Sequence, residues 1–211
     1  HNNISKLENL PNNLEEIFIT HNKISKIENI PENLKSLNIT DNYITKIENL
    51  NFYLSALNIS NNKITKIENL NKILRCLNLA NNCINKIKNL NENLVILYLS
   101  NNNIVKLENF PYDLEILNIC DNKIKKLENL RRLKFLRIAN NKISKLENIT
   151  IYLVNLHINN NKISKIKGRL IFFSIEILNL NNNRLKKIKD IRYLKIIKIR
   201  NNKFHYKYKY D

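Results

Sequence analysis

Apolar and polar residues alternate along the chain in a pattern that repeats about every 20 positions. Residues 34–50, LKSLNITDNYITKIENL, show the unit, with apolar side chains at positions 1, 4, 6, 11, 14 and 17 and an Asn at position 9. The apolar pair at positions 4 and 6 is typical of a short β-strand with one buried face. Each unit therefore predicts one strand. The ten units begin at Leu14, Leu34, Leu54, Leu74, Leu94, Leu114, Leu133, Leu153, Ile175 and Leu194.

A period of this length indicates a solenoid, because so short a unit cannot bury its apolar side chains alone. Parallel strands lie about 4.8 Å apart, so ten of them would span roughly 45 Å. Each unit keeps about a dozen residues for its return path, which is too few for a long helix, so we expect extended or 3₁₀ segments there. We interpret residues 1–211 as one array of about ten to eleven repeats.

The Asn at position 9 predicts a ladder of hydrogen bonds along the solenoid. The chain must turn inward after each strand, where its backbone N–H and C=O groups have no partner in the sheet. A buried Asn amide offers two donors and one acceptor, which can tie one turn to the next. We expect this role for Asn22, Asn42, Asn62, Asn82, Asn102, Asn122, Asn141, Asn161, Asn183 and Asn202.

The unit L-x-x-L-x-L-x-x-N-x-L resembles the leucine-rich repeat family over nearly the whole chain. The resemblance implies a right-handed solenoid with a parallel β-sheet on its concave side and extended or 3₁₀ segments on its convex side. The block KIENL at residues 46–50 resembles the short repeats of type 1 protein phosphatase regulators. The joins LPNNL and IPENL are similar to the 20-residue repeats of bacterial effectors. The resemblance to phosphatase regulators implies a phosphatase as one possible partner.

Strand positions 3 and 5 point away from the predicted core, and their residues vary from unit to unit. Apolar residues rimmed by charge are typical of binding surfaces, and aromatic and Arg side chains are common energetic centres of interfaces. The alternative is an unselected surface. The predicted partner-binding residues of the concave face are Glu16, Phe18, Ile96, Tyr98, Ile116, Phe135, Arg137, His157 and Lys198.

Positive charge is concentrated in the second half of the chain. The formal net charge is +18, yet residues 1–100 hold 11 basic and 9 acidic residues, whereas residues 101–211 hold 25 and 9. The asymmetry suggests an acidic partner, either a protein or a polyanion such as nucleic acid. We expect Lys134, Lys195 and Arg200 to form a basic patch. Columns of Lys and Glu, such as Lys46 and Glu48, are interpreted as a solvated edge whose opposite charges offset each other.

Two segments depart from the regular unit. The repeat at 162–183 contains two extra residues and the single Gly of the chain, Gly168, beside an apolar run that either bulges outward or repacks into the core. Residues 203–211 end in alternating aromatic residues and Lys, which predicts either a terminal cap or a surface that stacks on single-stranded nucleic acid. The chain starts in mid-repeat without a Met, which favours a processed segment or an end that associates with another subunit.

Chemistry-bearing motifs are not evident. One Gly cannot build a phosphate-binding loop, and no His, Cys and carboxylate group has metal-ligand spacing, so we expect no enzyme, metal or cofactor. Three Cys without framework spacing favour a reducing, intracellular compartment, cytoplasmic or nuclear. No membrane span or signal peptide is predicted. The Asn, Ile and Lys bias is typical of an AT-rich genome, such as that of a protozoan or a large DNA virus.

Three hypotheses of function follow. The first is a protein-binding scaffold that uses the concave sheet. The second is binding of nucleic acid or another polyanion by the basic C-terminal half. The third is a structural component that stacks end to end through its uncapped edges.

Overall fold

The computed structural model describes residues 2–167, 174–188 and 193–204, and within them the chain is a β-solenoid without helices. One parallel sheet has ten strands, and a second sheet has two. The irregular repeat at 162–183 and the segment 203–211 therefore fall partly outside the described residues. The main sheet contains β1 (Glu16–Phe18), β2 (Ser36–Asn38), β3 (Ala56–Asn58), β4 (Cys76–Asn78), β5 (Ile96–Tyr98), β6 (Ile116–Asn118), β7 (Phe135–Arg137), β9 (Asn155–His157), β11 (Ile177–Asn179) and β12 (Ile196–Lys198).

The strands pair in chain order and in the register that the 20-residue period predicts. Leu37 of β2, for example, lies between Ile17 of β1 and Leu57 of β3. The shortened unit before β7 and the lengthened unit before β11 keep this register, since Leu136 still pairs with Leu117 and Leu178 with Leu156. The prediction of a parallel-sheet solenoid is confirmed.

A single apolar core runs through the stacked units. Leu57 and Ile59, at strand positions 4 and 6, are 1% and 0% exposed, and Asn62 at position 9 is 8% exposed. Ile64 and Ile67 from the return path pack into the same core and are nearly inaccessible to solvent. Burying a side chain of this size contributes about 1.5–3 kcal/mol, so the apolar columns supply most of the stabilisation.

The return path of each unit is extended backbone interrupted by bends and turns. Of the two conformations expected for it, the extended one is found, and the part of the chain that the structure describes contains no 3₁₀ helix. Two of these return segments, β8 (Lys145–Leu146) and β10 (Lys165–Ile166), pair in parallel with Lys145 opposite Lys165.

The Asn column at position 9 forms a continuous ladder between neighbouring units. Asn62 is typical: its Oδ1 accepts the backbone N–H of Ile44 (2.8 Å), and its Nδ2 donates to the carbonyl oxygens of Ile39 (3.0 Å) and Ser60 (3.0 Å). Each amide thus satisfies backbone groups of its own unit and of the preceding one. Because these groups are buried, leaving them unpaired would cost free energy.

A second Asn column, not anticipated from the sequence, lies at position 16 of the unit. Asn49 Nδ2 donates to the carbonyl of Ile27 (2.9 Å), and Asn69 Nδ2 donates to that of Ile47 (3.0 Å). The backbone of these residues is left-handed, with φ of 53° at both. Asn is the non-Gly residue that adopts this conformation most readily, so it replaces Gly in a chain that has almost none.

Candidate partner-binding face

The solvent-facing residues of the main sheet form two straight columns, which we call the outer sheet face. The first residues of the ten strands, from Glu16 to Ile196, pair in register, and so do the third residues, from Phe18 to Lys198. All nine residues predicted to bind a partner belong to these columns. The structure therefore places them on one surface, and whether a partner binds there stays a prediction.

The middle of the outer sheet face contains a shallow hollow of about 280 Å³. Four of the predicted partner-binding residues line it, namely Tyr98, Ile116, Phe135 and Arg137. Phe135 is 44% exposed, whereas Tyr98 and Ile116 are half-buried. Strands β5, β6, β7 and β9 are neighbours in the main sheet and pair in register, so equivalent side chains of consecutive units lie side by side. The hollow combines an apolar floor with an aromatic and a guanidinium group.

The side of the hollow toward the C-terminus is basic. Arg137 pairs in register with His157, and Lys198 lies two strands farther on in the same column. Burial lowers the pKa of His157 below its ordinary value of 6.5, and the positive charges of Arg137 and Lys198 lower it further. The imidazole is therefore mostly neutral at pH 7. It can accept or donate a hydrogen bond there without adding to the charge.

The remaining predicted residues lie apart from the hollow. Glu16 and Phe18 are on β1, four strands before β5, and Phe18 is 70% exposed. Ile96, which is half-buried, lies on β5 beside Ile116 of β6. The outer sheet face thus has an acidic and aromatic beginning and an apolar middle, and the structure does not join them into one site.

The predicted basic patch is largely neutralised by neighbouring carboxylates. Lys134 Nζ lies 2.6 Å from Glu115 Oε1, and Lys195 Nζ lies 2.9 Å from Glu176 Oε1. Each pair joins adjacent units. Arg200 is exposed at the end of the array. Exposed pairs of this kind contribute little stability, but they reduce the field that a polyanion would meet on this face.

One feature at the border of the outer sheet face was not predicted. The Arg132 guanidinium carbon lies 4.9 Å from the ring centre of Tyr112 and 5.7 Å from that of Tyr152, and Arg132 Nη1 lies 3.3 Å from Asp113 Oδ1. These residues occupy the turns before β6, β7 and β9, the strands that line the hollow. Tyr112 is 59% exposed and Tyr152 is 47% exposed. Aromatic residues in the turns were the signal that could have located this rim.

The Cys76 and Cys120 thiols are both partly buried. Burial raises the pKa of the Cys76 thiol and of the Cys120 thiol, which keeps both protonated at neutral pH. Among the described residues, no three His, Cys, Asp or Glu side chains cluster as metal ligands would. No helix in the same residues is long and apolar enough to cross a bilayer.

Comparisons with known proteins agree with the repeat pattern. A family model for the Leucine Rich Repeat matches residues 93–112. The structure is similar to YopM from Yersinia enterocolitica WA-314, with a TM-score of 0.83 and 24% identity over 93% of this chain and 44% of that chain. The chain has a leucine-rich-repeat fold. No curated protein matches it in sequence.

Two further leucine-rich-repeat structures show the same likeness. The functional domain of InlJ from Listeria monocytogenes has a TM-score of 0.75 and 25% identity, over 90% of this chain and 45% of that chain. YopM from Yersinia pestis, a leucine-rich effector protein, has a TM-score of 0.74 and 23% identity, over 90% of this chain and 61% of that chain. The chain thus spans about half the length of these leucine-rich-repeat proteins. At such identities the likeness establishes the fold alone.

Proposed function

We propose that this chain is a non-enzymatic scaffold that binds an acidic protein surface through the hollow of the outer sheet face. The observation that carries the proposal is the convergence of Tyr98, Ile116, Phe135 and Arg137 around one hollow, on a sheet that elsewhere exposes mostly Asn and small residues. Aromatic and Arg side chains are the types that dominate binding energy when an interface covers them. Leucine-rich-repeat neighbours support the same class of function.

The charge around the hollow supports an acidic partner. No carboxylate oxygen of the described residues lies within 4.0 Å of the Arg137 or Lys198 side-chain nitrogens, whereas Lys134 and Lys195 are paired. An acidic group docked between them would be attracted to both. It would also raise the pKa of His157, because it offsets the two positive charges that lower it. Partner binding would then take up a proton near neutral pH.

The resemblance to phosphatase regulators adds a type 1 protein phosphatase as one candidate partner. The KIENL block that carries this resemblance lies in the core and on the solvated edge, so it does not form the proposed contact surface. We further propose a reducing, intracellular compartment, which the odd number of cysteines favours.

The experiment attaches a photo-crosslinker at position 118, which lines the hollow, identifies the captured protein and then measures its affinity. We expect Tyr98→Ala to weaken binding about 30-fold, or ~2 kcal/mol, as truncation of an interface centre does. Arg137→Glu should weaken binding at least as much, mostly through slower association at low salt. The candidate phosphatase is assayed with the same variants.

The matched control is Tyr53→Ala. Tyr53 is 53% exposed and lies in the turn before β3, away from the hollow, so its loss should leave the affinity unchanged. Equal losses of affinity for Tyr98→Ala and Tyr53→Ala would mean that binding depends on non-specific contacts with exposed aromatic residues. Full affinity in the Tyr98→Ala and Arg137→Glu variants would place the partner on another surface.

A further inference from the structure

A second charged surface lies on the side where the chain leaves the main sheet. Five lysine side chains surround a hollow of about 380 Å³ there, together with Ser144 and Glu147. They come from three consecutive units, and all five are exposed. We call this set the lysine cluster. Its members are Lys125, Lys126, Lys142, Lys145 and Lys162.

The positive charge of the lysine cluster is not balanced by nearby carboxylates. Of the described residues that line the hollow, Glu147 alone is acidic, and its Oε2 lies 3.9 Å from Nζ of Lys167, outside the cluster. Within the described ranges of the chain, none of the five ammonium groups has a carboxylate oxygen within 4.0 Å. The Glu column thus does not offset the Lys column here by direct pairing. Lys134 and Lys195, next to the outer sheet face, are paired instead.

The lysine cluster does not follow from the general abundance of Lys. At position 10 of the unit, the first half carries Lys only at Lys23 and Lys63, which are separated by Tyr43. In the second half three consecutive units carry Lys there, namely Lys123, Lys142 and Lys162. Lys126 and Lys145 belong to a column that also runs through the first half, so the cluster differs from the first half in the consecutive lysines at position 10 and in Lys125.

Repulsion between lysines of neighbouring units destabilises the protein when no ligand is bound. Lys145 of β8 lies directly opposite Lys165 of β10, and like charges at paired positions destabilise a sheet. Successive units place further lysines at the spacing of parallel strands, about 4.8 Å. A ligand with regularly spaced negative charges would relieve this repulsion along its whole length.

We propose that the lysine cluster binds a chain of phosphate groups. Lys ammonium groups bind phosphate as point charges, and such binding rests on charge and on the release of counterions. Among the described residues, no aromatic or large apolar side chain lines the hollow, so this part of the chain supplies neither the stacking platform that reads bases nor the apolar centre of a protein interface. The ligand is therefore recognised by its phosphates and not by a base sequence.

The test measures binding by fluorescence anisotropy with a dT oligonucleotide of about 15 nucleotides and, in competition, with inorganic polyphosphate. We expect affinity to fall roughly a hundredfold between about 50 and 200 mM salt, since five contacts give a slope near −3.5 in log K against log salt. In the triple variant Lys125→Gln, Lys142→Gln, Lys162→Gln, the slope should fall by about 2 units and the affinity on the order of a hundredfold at low salt. Whichever of the two ligands binds more tightly identifies the source of the phosphates.

A second triple variant has the same net charge and serves as the matched control. Lys26→Gln, Lys46→Gln and Lys66→Gln remove three exposed lysines in the first half of the array, from the column to which Lys126 and Lys145 belong. We expect the control to change the affinity less than about twofold, because its sites lie beyond a Debye length from the cluster. Phosphate chains should also raise the melting temperature of the wild type more than that of the first triple variant.

Three results would overturn the proposal. Equal losses in the two triple variants would show that binding follows net charge and has no site. Poly-glutamate that binds as tightly as polyphosphate, with the same sensitivity to the first triple variant, would indicate an acidic protein as the ligand. No binding of either phosphate chain at about 50 mM salt would leave the lysine cluster without a ligand.

Discussion

At the scale of single residues, Asn carries much of the architecture. Asn102 Nδ2 donates to the carbonyls of Leu79 (2.9 Å) and Leu99 (3.2 Å), and its Oδ1 accepts the N–H of Ile84 (2.9 Å). Other Asn residues hold left-handed turns just before the ladder position, such as Asn61 with φ of 53°. The high Asn content therefore has a structural use, whatever the codon usage of the genome.

Replacing one ladder residue should destabilise the fold measurably. Asn102→Leu leaves buried backbone groups of two units without partners, and we expect a loss of about 1–3 kcal/mol in the free energy of unfolding. Urea denaturation followed by circular dichroism measures it. Asn85→Leu makes the same change at an exposed position of the preceding unit and should be nearly neutral. Identical midpoints for the two variants would contradict the ladder.

The ladder was predictable, and the left-handed Asn residues were not. A polar residue recurring among buried apolar positions, as Asn62 and Asn102 do, requires hydrogen-bond partners, and the turn after each strand supplies them. The sign of φ leaves no trace in the pattern of apolar positions. In this chain Asn69 performs a task that Gly performs elsewhere, so the usual Gly signal for such a turn is missing.

At the scale of elements, the strands differ in how well their neighbours cover them. Leu117, the central residue of β6, is fully buried between β5 and β7. Ile197 holds the corresponding position in β12, the last strand of the sheet, and is only partly buried. The same side-chain position thus has two environments, which separates the contribution of packing from that of local sequence.

Truncation at these two positions should have unequal costs. We expect Leu117→Ala to lower the free energy of unfolding by about 2–5 kcal/mol, as large-to-small changes in a packed core do. Ile197→Ala should cost less than about half of that, because less apolar surface is removed from the core. Urea titrations of both variants give the comparison. A larger loss of stability in Ile197→Ala than in Leu117→Ala would mean that β12 is packed more tightly than β6.

Strand positions and faces were predictable, whereas contacts between long side chains were not. The pair at positions 4 and 6 marks the buried face of each strand, as Leu57 and Ile59 show. The ion pair of Lys134 with Glu115 joins residues of adjacent units. Its formation depends on which rotamers the two flexible side chains adopt, and the periodicity does not encode that. The rim of Tyr112 and Arg132 was missed for the same reason.

At the scale of the whole molecule, the array is nearly one-dimensional. Each strand of the main sheet contacts only the strands before and after it. Stability in such arrays is a sum of the stabilities of the units and of the contacts between neighbouring units, and the end units lack one of those contacts. Opening of the ten-stranded sheet should therefore begin at its edge strands, β1 and β12, and proceed inward.

Hydrogen exchange should reveal this gradient. We expect amides of β4 to β6 to exchange roughly tenfold or more slowly than those of β1 and β12, a difference of at least ~1.4 kcal/mol in opening free energy. Exchange monitored by mass spectrometry on peptides from each unit measures it. Equal protection in all ten strands would instead show that the array opens as one cooperative unit.

The distribution of charge could be predicted only in part at this scale. The excess in the second half was visible in the sequence, but the surface that carries it was not. Lys134 and Lys195 are paired next to the outer sheet face, while the lysine cluster around Lys142 is unpaired where the chain leaves the main sheet. The two groups of lysines differ in which side-chain columns lie beside them in the fold.

The ladder has a direction, since each Asn side chain forms hydrogen bonds with the coil before it. These bonds do not depend on how many coils precede. Excising one whole coil, for example residues 63–82, would bring Asn62 next to Cys83 and preserve every type of bond across the seam. Loss of one return-path residue is also absorbed, because the 19-residue coil before β7 keeps Leu136 opposite Leu117. A whole coil outside residues 94–162 can thus be lost while the hollow and the lysine cluster both stay intact.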